Sequence, residues 1–156
     1  MKKLESTYDN VGGISSIYAI PAALLDHVSY NAASNMRTFT LSSNDGVIQI
    51  DGHRAGDFSE ESSISDEGTE YNVQISGKIF TTSKDRESII DELSNGSWYV
   101  LHRDCNGQMR LSGTPDIPLL FTYNENTGQH GSSSMLTYRF SAIEARQSLR
   151  IDVSPL

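Results

Sequence analysis

The sequence predicts a mainly β, single-domain fold: an antiparallel β-sandwich or partly open barrel with one short α-helix packed on it. Three observations carry this. Short runs alternate apolar and polar residues with period two, as Tyr71, Val73, Ile75 and Ile79 do against Asn72, Gln74, Ser76 and Lys78. Ser, Thr, Asn and Gly are abundant and separate those runs, which favours strands and loops over a helical bundle. Helical periodicity is confined to Ser83–Leu93, where Ile89, Ile90 and Leu93 form one apolar stripe. The 156 residues suit one domain with a real core.

Taken in order, residues 1–13 are polar and end in Gly12-Gly13, a flexible N-terminal arm ahead of a domain spanning 14–156. Ile14–Pro21 reads as a strand stopped by proline. Ala22–Leu25 is a helical turn or a continuation of that strand, and the Asn- and Ala-rich His27–Arg37 reads as a loop or a weakly ordered stretch. Thr38–Leu41 and Val47–Asp51 flank Asp45-Gly46, which predicts a hairpin. The acidic Gly52–Gly68 run lacks core residues and reads as a solvated loop or ragged edge strand.

The central unit is Thr69–Gly113. Thr69–Phe80 is a half-buried strand whose Gly77 falls on the buried side, which calls for a bulge or a close approach by the helix. Thr82 or Ser83 can cap the helix, Asp85 suits its positive end, and Asn95-Gly96 stop it. In the strand Ser97–Arg103, Trp98-Tyr99-Val100-Leu101 is apolar on both faces, so this strand should be the most buried. Asp104-Cys105-Asn106-Gly107 turns into Gln108–Gly113, either as a type I turn from Asp104 to Gly107 or as a type I′ turn centred on Asn106-Gly107. Ile117–Tyr123 and Met135–Ser141 alternate as strands around the Gly- and Ser-rich loop Asn124–Ser134, and Leu149–Val153 closes a sheet edge.

A net charge of −8 argues against a general nucleic-acid binder and against docking on anionic membranes. The single cysteine, Cys105, excludes an intrachain disulfide framework. The residues after Met1-Lys2-Lys3 are polar where a signal peptide needs an apolar stretch, and no apolar run spans a bilayer. These features point to synthesis in the cytosol, with any exit inside a particle or by lysis.

Candidate chemistry is thin. His102, Asp104 and Cys105 crowd one hairpin tip, but cysteine catalysis needs a base and an orienting group brought from separate segments, so the turn is read as structural. Asp104-Cys105-Asn106-Gly107 lacks the later ligands of a calcium loop. His27, His53, His102 and His130 stand singly, without the spacing of a metal pair. Gly77-Lys78 is no phosphate loop, and Gly131-Ser132-Ser133-Ser134-Met135 is no nucleophile elbow. The aromatics Trp98, Tyr99, Phe121, Tyr123, Tyr138 and Phe140 alternate within strands, as core residues do, and leave a carbohydrate platform as the weaker use. No catalytic, cofactor or metal set is assigned.

One resemblance goes further. The order Tyr71-x-Val73-x-Ile75-Ser76-Gly77, short helix, Asp104-x-Asn106-Gly107-x-x-Arg110-Leu111-x-Gly113, Pro118-Leu119-x-Phe121, glycine loop and Tyr138-x-Phe140 resembles small structural proteins of crAss-like and other Bacteroidota phages and prophages. Such proteins form ring or neck layers between portal and tail, or adapt tails. The resemblance covers Gly68–Phe140 and implies a virion structural protein, not an enzyme, with no cofactor. It would be a head-tail connector or tail-adaptor subunit that oligomerises as a ring, assembled in the host cytoplasm beside portal, ring or tail proteins. An acidic channel lining would let DNA pass without sticking. The competing expectation is a tail-associated receptor- or glycan-binding β-sandwich.

Overall fold

The computed structural model describes residues 12–31, 36–50, 56–66, 68–79, 84–126 and 135–151. Among them are eleven strands and one α-helix: β1 (Ile14–Pro21), β2 (Leu25–Asn31), β3 (Met36–Leu41), β4 (Ile48–Ile50), β5 (Asp57–Ser65), β6 (Gly68–Ile79), α1 (Lys84–Asn95), β7 (Trp98–Asp104), β8 (Met109–Ser112), β9 (Leu120–Asn126), β10 (Met135–Glu144) and β11 (Leu149–Ile151). A single 3-10 turn at Ala22–Leu24 joins β1 to β2.

The strands form a seven-stranded sheet, β2-β3-β11-β8-β7-β1-β4, and a four-stranded sheet, β5-β6-β10-β9. Pairing is antiparallel except between β3 and β11. Two backbone bridges stitch the sheets together. The Ile14 amide donates to the Gly56 carbonyl at 3.0 Å, and Trp98 and Leu119 exchange bonds of 2.8 and 3.0 Å. The expected class holds: two facing sheets, bridged at two corners into a partly open barrel, with one short helix.

Strand β7 is the hinge of the packing, because alternation sends its neighbours to opposite sides. Trp98 and Val100 enter a core between the sheets with Val73, Ile75, Leu136, Tyr138 and Phe140, and α1 adds Ile90 and Leu93. Tyr99 and Leu101 enter a second core on the other face of the larger sheet with Phe39, Met109, Leu111 and Ile151. The doubly apolar run is therefore buried on both sides, as its sequence requires. The helix ends cleanly because Trp98 Nε1 donates to the Leu93 carbonyl at 2.9 Å, filling an acceptor that the helix leaves open. Ile89 does not join the stripe and stands 41% exposed.

Several expectations are corrected. His27–Arg37 is not a loop throughout, since β2 pairs with β3 from Leu25 to Asn31. Asp45-Gly46 does make a turn, with Gly46 at φ 93°, but β3 and β4 do not pair with each other. β4 joins β1, while β3 lies between β2 and β11. Within Gly52–Gly68 the edge-strand alternative holds, as β5 over Asp57–Ser65, while residues 52–55 and 67 lie outside the described residues. β11 is interior, between β3 and β8, rather than a sheet edge. Gly77 is indeed buried, but the group that crowds it is the Tyr138 ring, whose Cζ would lie 2.7 Å from an added Cβ. The expected caps Thr82 and Ser83, the arm up to Val11, and the loop centre Thr127–Ser134 lie outside the described residues.

Candidate functional site

Two recesses adjoin the β7–β8 hairpin, one on its inner face and one at its tip end. On the inner face, His102 of β7 and Arg110 of β8 are direct cross-strand partners. Phe58 of β5 points inward from the opposing sheet, beside Ile75 in register, and meets both. Its ring centroid lies 4.6 Å from that of His102, and the Arg110 guanidinium carbon lies 5.5 Å from the Phe58 centroid. Together with Asp57, Asp104 and the backbone at Gly12–Ile14 they line a recess of about 160 Å³.

His102 is 2% exposed, and its Nδ1 has no hydrogen-bond partner. Burial pushes its pKa down to about 4, the Arg110 cation pushes the same way, and Asp104 opposes them. The imidazole is therefore neutral at pH 7. A comparable case sits deeper, where burial pushes the Tyr138 hydroxyl up to about 12 and leaves it without a partner in the core.

Asp104 and Cys105 have other work. The Asp104 carboxylate accepts the Asn106 amide at 2.9 Å and the Gln108 amide at 2.8 Å, while its carbonyl accepts the Gly107 amide at 3.1 Å. That Gly107–Asp104 bond closes the turn that runs from Asp104 to Gly107, with Gly107 at φ 82° leading back into the strand. The half-buried Cys105 gives its amide to the Gly13 carbonyl at 3.1 Å, which fastens the start of β1. No hydrogen bond joins His102 to either side chain. The three residues are neighbours in the chain and serve the turn and the core, not a nucleophile-base-orienter arrangement.

At the tip end of the same hairpin a hollow of about 290 Å³ is lined by Met36, Met109 and Ile151, by the turn residues Gly107 and Gln108, and by Arg103 and Arg150. An Arg103 nitrogen rests 3.5 Å from the Met109 sulfur. Neither arginine forms an ion pair with a described residue. At the other end of the molecule, the β5–β6 hairpin overhangs the second sheet. Every residue from Glu61 to Asp66 is exposed, including Ile64 at 89%.

Buried polar groups tie these parts together. Glu144, 1% exposed, accepts the Gly113 amide at 2.8 Å, and Glu60 accepts the Ser148 amide at 2.6 Å. Sequence reasoning gave no place to Phe58 or Glu144, and met Glu60 only within an acidic run and Arg110 only within the resemblance. Phe58 carried a signal, as the one aromatic at the start of an otherwise polar run. Glu144 carried none, because its partner lies 31 residues away.

Among the described residues no three His, Cys, Asp or Glu side chains come together as a metal site. His27 is exposed, and His53 and His130 lie outside the described residues. Of the six strand aromatics, five are in the cores and Tyr123 alone is 49% exposed, so they do not form a stacking platform. No protein-family model, curated protein or solved structure matches the chain.

Proposed function

We propose that the chain is a non-catalytic bacteriophage virion subunit, a ring or neck protein of the head-tail connector or tail-adaptor kind that oligomerises around the DNA channel. The observation that carries this reading is the open edge of the smaller sheet. Strand β5 pairs with β6 along nine residues, and beyond Gly56 no described strand covers its other side. A long uncovered edge is a template for association between chains. The segment Gly68–Phe140, which carries the resemblance, supplies β6 to β10 and α1, the scaffold that presents this edge. The recruitment of Asp104 and Cys105 to a turn supports the non-catalytic part of the reading.

The net charge of −8 suits a wall past which DNA slides, since like charge suppresses phosphate contacts. Partners would then be further copies of this chain and portal, ring or tail proteins encoded beside it, with DNA met only as a passing polymer. Electron microscopy of the purified protein, alone and with the products of neighbouring genes, tests the reading. Closed rings of fixed copy number are expected. A protein that stays monomeric and binds none of those products would overturn it.

A further inference from the structure

We infer that one copy of this chain inserts the tip of its β5–β6 hairpin, led by Ile64, into the arginine-rimmed hollow of a second copy. Lone exposed apolar residues are common on protein surfaces, but here the surroundings match on both sides. Ile64 is 89% exposed on a hairpin that no second sheet covers, and Glu61 and Asp66 beside it are exposed acids. The hollow reverses this arrangement, since the buried Met109 and Ile151 and the exposed Arg103 and Arg150 all line it. Its 290 Å³ is many times the ~30 Å³ share of one water molecule, room enough for a branched aliphatic side chain. Seating Ile64 there would bury apolar surface on both partners and bring guanidiniums that form no ion pair among the described residues toward carboxylates, and opposite charge across the seam fixes orientation.

A second copy is the occupant because the chain cannot reach its own hollow. Phe58 lies over the inner face of the β7–β8 hairpin, and Ile64 is six residues further along β5, about 20 Å away at strand rise. Knob and hollow are thus different surfaces of one molecule, and their union is head to tail. Such a contact closes into a ring if the rotation between copies divides a full turn, and otherwise grows into a filament. The inference deepens the ring reading by naming the surfaces that would join the subunits.

The test uses the full chain in sedimentation velocity over rising concentration, with Ile64→Asp, Arg150→Glu and an equimolar mixture of the two. Both positions are exposed, so far-UV circular dichroism should match the wild type. The wild type should form species beyond the dimer. Each variant should weaken association about tenfold or more. The mixture should form a one-to-one dimer and stop there, because one intact knob meets one intact hollow. Variants that assemble as the wild type does would overturn the inference and leave the ring reading standing. Wild-type filaments that both variants dissolve would keep the contact and remove the ring. A wild type that stays monomeric at every concentration overturns the contact and leaves the ring to depend on other phage proteins.

Discussion

Neutral His102 makes the protein sensitive to acid, and the size of the effect follows from its surroundings. In the unfolded chain the imidazole takes a proton near pH 6.5. In the fold it resists until about pH 4, because burial and Arg110 disfavour the cation more strongly than Asp104 favours it. A base whose folded pKa is depressed leaves stability intact above the unfolded pKa, and stability falls as pH drops from 6.5 toward 4. That interval is about two and a half units, each about 1.4 kcal/mol, so the full loss is roughly 3 kcal/mol. Urea unfolding followed by the fluorescence of Trp98 measures it at several pH values, against His102→Gln, which keeps a polar side chain but does not titrate. Carboxylates titrate in both proteins and cancel in the difference. The wild type should lose about 2 kcal/mol more than the variant between pH 7 and pH 5. Parallel profiles for the two proteins would refute the reasoning.

Two further predictions concern particular contacts. Gly77→Ala places a Cβ 2.7 Å from the Tyr138 ring carbon Cζ in a packed core, and should cost about 1–3 kcal/mol in urea unfolding; an unchanged midpoint would show that the ring swings aside freely. The Arg86–Glu125 ion pair, 2.6 Å long, joins α1 to β9 with Glu125 more than a third exposed. Glu125→Gln should therefore cost under about 1 kcal/mol, and the cost should shrink in high salt.

What could be read from the sequence depended on how one-sided each strand is. β6 and β10 pack one face on a core and leave the other more open, so period two stands out in Val73 and Ile75 and in Leu136, Tyr138 and Phe140, and in β8 the polar Arg110 and Ser112 alternate with Met109 and Leu111. β2 is half-wet along most of its length, with Asp26, His27, Tyr30 and Asn31 exposed, and its residues show no face. The end of β5 is exposed on every residue, which is why its sequence left a solvated loop and a ragged edge strand both open. The Asp45-Gly46 turn was legible, but whether its flanking strands pair depends on competition from β1, β2 and β11, which no local signal records. The same limit hid the His102 recess. Its members come from β5, β7 and β8, and only the closure of two sheets brings Phe58 onto His102.

The two cores share a single wall, and that bears on how the protein unfolds. Leu101 and Val100 are adjacent on β7 yet belong to different cores, so neither core can dissolve without removing the backbone that the other packs on. The fully buried Leu136 lies in the core between the sheets, and the fully buried Leu101 lies in the other. Leu136→Ala and Leu101→Ala should each cost about 2–5 kcal/mol, the usual range for a buried leucine. If β7 couples the cores, each variant should shift one common transition with an unchanged denaturant slope, whether followed by Trp98 fluorescence or by far-UV circular dichroism. The alternative is that β2, β3 and β11 form a flap that peels away alone. Leu101→Ala would then give two transitions, with the circular dichroism change preceding that of Trp98, which packs on the opposite side. That outcome would remove β7 as the coupling element and leave the other eight strands, β1 and β4 to β10, as the independent folding unit.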